Sequence, residues 1–173
     1  MRVTFFLAAT LWTAAWAGLV HAEVVSGSLP SEFVTIEEEF ERDNRARELA
    51  GQQANIARNE FRRGDQPAAL ARLKQALETS TGIRGIRKRT VALVNIASVQ
   101  AEVGDTQGAL RTAASIESLT ERDSTLRIMA LDRAKIGDLA SARQFTDAIQ
   151  DNSKKTDASR YIEAQENAKS LGF

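Results

Sequence analysis

The sequence predicts an all-α protein, a short stack of about three antiparallel helical hairpins, and three observations carry that prediction. A Gly-Asp pair interrupts otherwise helical patterning at 64–65, 104–105 and 137–138. Glycine can take the left-handed conformation that ends a helix, and the aspartate after it can accept free N–H groups of the next one. Aligned on these glycines, the position eight before holds Ile56, Ile96 and Met129, the next holds Ala57, Ala97 and Ala130, and five after come Ala69, Ala109 and Ala142. A small residue at one fixed point lets two helix axes approach, while the larger apolar side chain fills the space beside it. The glycines are 40 and 33 residues apart. Periods of that size mark α-solenoids, whose units bury their apolar faces only against neighbours.

At 173 residues and 43% hydrophobic, the chain suffices for one domain that buries about two-thirds of its unfolded surface. Its first 22 residues differ from the rest. Arg2 precedes an apolar run over residues 3–20, and Val20-His21-Ala22 offers small-x-small before Glu23. Residues 1–22 are expected to be a secretory signal peptide, which puts the mature protein in the periplasm or outside the cell. An uncleaved membrane anchor is the alternative, since about 20 apolar residues span a bilayer.

Losing that segment removes whole classes of chemistry. Trp12, Trp16 and His21 all lie inside it and the chain has no cysteine, so the remainder lacks His, Cys and Trp. No cofactor and no metal site is expected, and neither thiol nor histidine catalysis has a residue to use. Without Arg2 the 23 Lys and Arg fall to 22, against 23 Asp and Glu. Nucleic acid, which calls for a basic excess on one face, is not an expected partner.

The elements follow in order. Residues 23–30 (EVVSGSLP) carry Gly, Ser and Pro without helical period and read as a flexible leader; residues 31–173 form the repeat domain. Ser31 can cap an amphipathic opening helix with Phe33, Ile36 and Phe40 on one face and Glu37, Glu38, Glu39 and Glu41 on the others. Asp43-Asn44 is a point where the helix could restart, after which Leu49, Gln53, Ile56, Ala57 and Phe61 keep the period up to Gly64-Asp65. A second helix then starts near Pro67, tolerated in a first turn, and runs through Leu70, Leu73 and Leu77.

Seven extra residues in the first interval are assigned to a longer loop around residues 79–89 (TSTGIRGIRKR), whose Arg84, Arg87, Lys88 and Arg89 make the most basic point of the chain. Such a loop could bind an acidic partner, or its arginines could start the next helix and pair with nearby acids. Arg89, Arg122 and Lys155 are each 33 residues apart, a cation column at helix starts. Cations there oppose the helix dipole, so carbonyls at the end of the preceding helix are expected to offset them. A capping helix over residues 157–171 closes the stack, turning Glu163, Gln165, Glu166 and Lys169 to water.

The units LVNIASVQAEVGDTQGALRTAASI and LRIMALDRAKIGDLASARQFTDAI, echoed by QANIARNEFRRGDQPAALARLKQAL, resemble the tetratricopeptide repeat of short bacterial exported proteins. The period of 33 rather than 34 and the replacement of the family's large aromatics by Leu93, Leu126, Gln100 and Ala113 make it a divergent version. The resemblance implies a concave groove along the first helices that holds a peptide or another protein. Its positions fall on Ala54, Arg58, Phe61 and Arg62, then Val94, Ser98, Ala101 and Glu102, then Arg127, Leu131, Ala134 and Lys135. That groove is expected to be positive at both ends with Glu102 between, suiting an extended segment with acidic groups or a free carboxylate.

Three functions follow from this reading: an exported interaction module (adaptor or scaffold) without catalysis, a membrane-tethered helical spacer if the signal stays on, and a carboxylate-based hydrolase. The third lacks paired acids in an apolar setting. The sequence does not identify the partner or the oligomeric state.

Overall fold

The computed structural model describes residues 31–170, with side chains from residue 35 onward. The expected signal peptide and leader lie outside the described residues. Seven helices, and no strand, make up the described part: α1 (Ser31–Arg62), α2 (Gln66–Thr81), α3 (Ile86–Glu102), α4 (Thr106–Ala114), α5 (Leu119–Lys135), α6 (Leu139–Ala148) and α7 (Asn152–Ser170). The chain divides into two units, residues 1–41 and 42–173. In the first, Ile36 and Phe40 are exposed together with Glu37, Glu38 and Glu41.

Each Gly-Asp pair closes two helices at once. Gly64, Gly104 and Gly137 have φ of 86°, 85° and 82°, the left-handed region that favours a residue without Cβ. The reversed backbone aims the N–H of Asp65, Asp105 and Asp138 back at the C=O of Glu60, Gln100 and Arg133, at 3.0, 2.8 and 2.9 Å, the Schellman closure. The same three carboxylates then accept the N–H of Ala68, Gly108 and Ser141 at 3.0, 2.9 and 3.1 Å. One aspartate thus satisfies an orphan carbonyl behind it and an orphan donor ahead.

Burial follows the repeat columns. Ala57, Ala97, Ala130, Ala69, Ala109 and Ala142 are fully buried. α3 has two apolar faces: Ala92, Ile96 and Val99, with Val103 just after the helix, pack with Ala50, Ala54, Ala57, Ala69 and Leu73 of α1 and α2. Ala97 and Ala101 pack instead with Ala109 and Ala113 of α4, Met129 of α5 and Phe145 of α6. Ala134, Ala142 and Ile162 continue the core into α7. Ile96 and Met129, at 0% and 2% exposure, lie against the hairpin before them, whereas Ile56 in the same column is 43% exposed. Among the described residues no hairpin precedes α1 to cover it.

Three expectations are corrected. Residues 31–62 form one continuous helix, not two restarted at Asp43-Asn44. Asp43 is buried and accepts the Gly85 N–H at 2.7 Å, so its turn-forming chemistry serves another segment. The basic stretch is not a protruding loop: α2 continues to Thr81 and α3 begins at Ile86. The extra residues lengthen α2 to 16, against 9 in α4 and 10 in α6. The short connection is held by Ile83, fully buried in the first core. Finally, the closing helix starts at Asn152, five residues before the expected 157.

The cation column meets its expected offset at two positions. Arg89 Nη1 donates to the Ile83 C=O at 3.2 Å and Lys155 Nζ to the Asp147 C=O at 3.0 Å. Both carbonyls belong to the end of the preceding helix or the residues just after it, where the dipole is negative.

Candidate functional site: a groove along α1, α3 and α5

α1, α3 and α5 are the helices that end at the three left-handed glycines. Two before the glycine stand Arg62, Glu102 and Lys135. Arg58, Ser98, Glu102 and Lys135 line one depression of about 350 Å³, together with Ala101, Ile128, Met129, Asp132, Arg133 and Ile136. Five of the twelve expected groove positions, Ala101 among them, therefore share one concavity.

Its charges are partly neutralised. Glu102 Oε2 accepts from Arg58 Nε at 2.5 Å and Oε1 from Arg62 Nη2 at 3.2 Å. Arg58 also donates to Asn55 Oδ1 at 2.9 Å. Solvent-accessible pairs of this kind contribute about 0–1 kcal/mol, so they fix geometry more than stability. Arg127 is tied to Asp157 of α7. The expected positive charge at both ends is thus not free: the Arg58 and Arg62 end is held by Glu102, and Arg127 by its own acid. Lys135 makes no ion pair among the described residues, and Arg133 Nε is buried with no hydrogen-bond partner among them.

The remaining expected residues are placed differently. Val94 lines a second depression of about 630 Å³ with Ile86, Arg87, Thr90, Val91, Asn95, Ser118 and Glu121. Leu131 is half-buried and lines neither. Ala54 and Ala134 are buried, and Phe61 packs against the first core. Of the basic stretch, Arg84 is exposed in the connection, while Arg87, Lys88 and Arg89 lie in the first turn of α3. Arg89 pairs with Glu117, which is the helix-starting, acid-pairing reading of these cations.

Sequence reasoning missed Ile128, Asp132, Arg133 and Ile136 in one depression and Ile86 and Val91 in the other. Exposed apolar residues on a helix with a buried opposite face were a signal that could have found them. It also missed the polar pairs four before and eight after the glycine: Arg72 Nη2 to Glu60 Oε1 at 3.3 Å in the first hairpin and Thr112 Oγ1 to Gln100 Oε1 at 2.6 Å in the second. Of these four residues, Gln100 stands where the resemblance implies a large aromatic.

Two carboxyls are held below their ordinary value of 3.8. For Asp43 the main cause is the Gly85 N–H, opposed by burial and aided by the Arg84 N–H and the Arg42 charge. For Asp151 it is the Lys154 N–H, then the Lys154 ammonium. Asp43 reaches from α1 to the connection at Gly85, and Asp151 lies in the connection before α7; neither lines the depression, so both are structural. Among the described residues no group of three or more His, Cys, Asp or Glu is arranged to hold a metal ion. No described helix is long and apolar enough to cross a membrane.

No protein-family model, curated protein or solved structure matches the chain.

Proposed function

We propose that the chain is a short α-solenoid of tetratricopeptide type, exported to the periplasm or beyond, that holds a segment of another protein along α1, α3 and α5 and catalyses no reaction. The observation that carries this reading is the depression of about 350 Å³ in which Arg58, Ser98, Glu102 and Lys135 meet, because residues chosen only by their distance from three glycines converge on it. Rigid helices supply a preformed surface, so little ordering cost is added when an extended segment binds.

The test is affinity capture from the native envelope fraction with the wild-type domain and with Lys135→Glu. A partner retained by the first and lost by the second, with unchanged circular dichroism, supports the groove. Identical capture by both overturns it. N-terminal sequencing of the exported protein addresses export: Glu23 at the start supports a soluble module, and Met1 a tethered one.

A further inference from the structure

We propose that the groove recognises a segment with an apolar side chain at one end and an acidic group about five residues away, the apolar side chain seated at the start of α3 and the acid at its end. This rests on the groove reading above and adds the chemistry of its ligand. The two depressions run along the same helix: Val94 lines one, and Ser98, a single turn further, lines the other. Their walls differ in kind. The one at the α3 N-terminus presents Ile86 and Val91, which are 57% and 48% exposed, with Val94 beside them. Its flanking charges, Arg87 and Glu121, are of opposite sign, so it offers apolar area without a net field. Exposed β-branched side chains grouped in a concavity mark a contact surface rather than scattered surface residues.

The depression at the other end is charged. Arg58, Arg133 and Lys135 outnumber Glu102 and Asp132 there. Glu102 is already occupied by Arg58 and Arg62, which leaves Lys135 and Arg133, against Asp132, to turn a net positive charge toward a ligand. Complementarity therefore calls for a carboxylate at this end. Helix geometry sets the spacing: Val91 to Glu102 is eleven residues, about 16 Å at 1.5 Å each. An extended chain at about 3.3 Å per residue covers that in five.

The probe is a set of fluorescently labelled heptapeptides in a Gly-Ser background, with Leu and Glu five positions apart in either order, with the two only two apart, and with either alone. Anisotropy is read against the domain, Val91→Asp, Ile86→Ser and Lys135→Glu, each checked by circular dichroism. The proposal expects the five-apart peptide to bind at least tenfold tighter than the others. Val91→Asp and Ile86→Ser should abolish the advantage of Leu, and Lys135→Glu the advantage of Glu. Equal affinity for the Leu-free peptide, or affinity within twofold in both Val91→Asp and Ile86→Ser, overturns the two-ended ligand while leaving a peptide groove standing. Absence of binding by every peptide overturns both.

Discussion

The carboxylate of Asp43, on α1, accepts the backbone N–H of Gly85 across 42 residues at 2.7 Å. Asp123 on α5 does the same for the connection after α6, accepting from Gln150 at 3.3 Å and Asp151 at 2.8 Å. Gly85, Ser118 and Asp151 are the residues that begin α3, α5 and α7, each 33 apart. A buried aspartate thus fixes where α3 and α7 start.

The Asp43 brace should depend on pH. Its folded pKa lies below the ordinary 3.8, so its contribution is present in full above that value and is lost as pH falls through the lower, folded pKa. Asp43→Asn should lower the melting temperature at about pH 6, and the gap to wild type should close towards about pH 3. A gap that is constant over that range rules out the charged brace.

Asp123→Ala removes the buried carboxylate that accepts the N–H groups of Gln150 and Asp151. The expected loss is about 1–3 kcal/mol, read as a lower urea midpoint at unchanged slope. A loss below about 0.5 kcal/mol, the level of an ordinary surface change, would show that water replaces the carboxylate there.

The glycines of the second hairpin should respond in opposite order to their crowding. A Cβ on Gly104 meets nothing within 4 Å, yet φ of 85° makes Gly104→Ala cost about 1–2 kcal/mol. A Cβ on Gly108 runs into the Asp105 carboxylate, but Ala68 and Ser141 occupy the equivalent position with the cap intact. The carboxylate can shift as it does there, so Gly108→Ala should stay within about 0.5 kcal/mol of wild type, helped by alanine's helix propensity. Thermal melts of the two variants decide it.

Ala97→Leu inserts three carbons where α3 meets α4 and α5. Ala97 is fully buried, so overpacking should cost about 1–3 kcal/mol. Harmless insertion, seen as an unchanged melting temperature, would mean that the close helix approach is not made at this column.

Glu102→Gln separates groove charge from fold. Arg58 and Arg62 lose their shared carboxylate, with a stability change of at most about 1 kcal/mol. Affinity for acidic peptides should rise, most at low ionic strength. Weaker binding would assign Glu102 to direct contact with the ligand.

How much was legible in the sequence follows from the range of the interactions. The Gly-Asp turns, their caps and the alanine columns were readable because each is made within a few residues or repeats at a fixed interval. The groove row of Arg62, Glu102 and Lys135 was readable by the same register. The ion pairs within it were not, because they depend on how far α1 and α3 stand apart. The stretch over residues 79–89 was misread for a related reason. Gly82 and Gly85 suggest a loop, but burial of Ile83 pins the connection and leaves Thr79, Ser80 and Thr81 in α2.

By itself the sequence determined an all-helical, repeating chain, since the left-handed glycine, the aspartate cap and the amphipathic period are local properties of the backbone and side chains. Only the tertiary structure decided that α1 runs unbroken through Asp43, that α2 absorbs the extra residues, and which groove charges are already paired. Those outcomes rest on contacts between residues 42, 44 and 30 positions apart, whose energies exist only once the hairpins are packed.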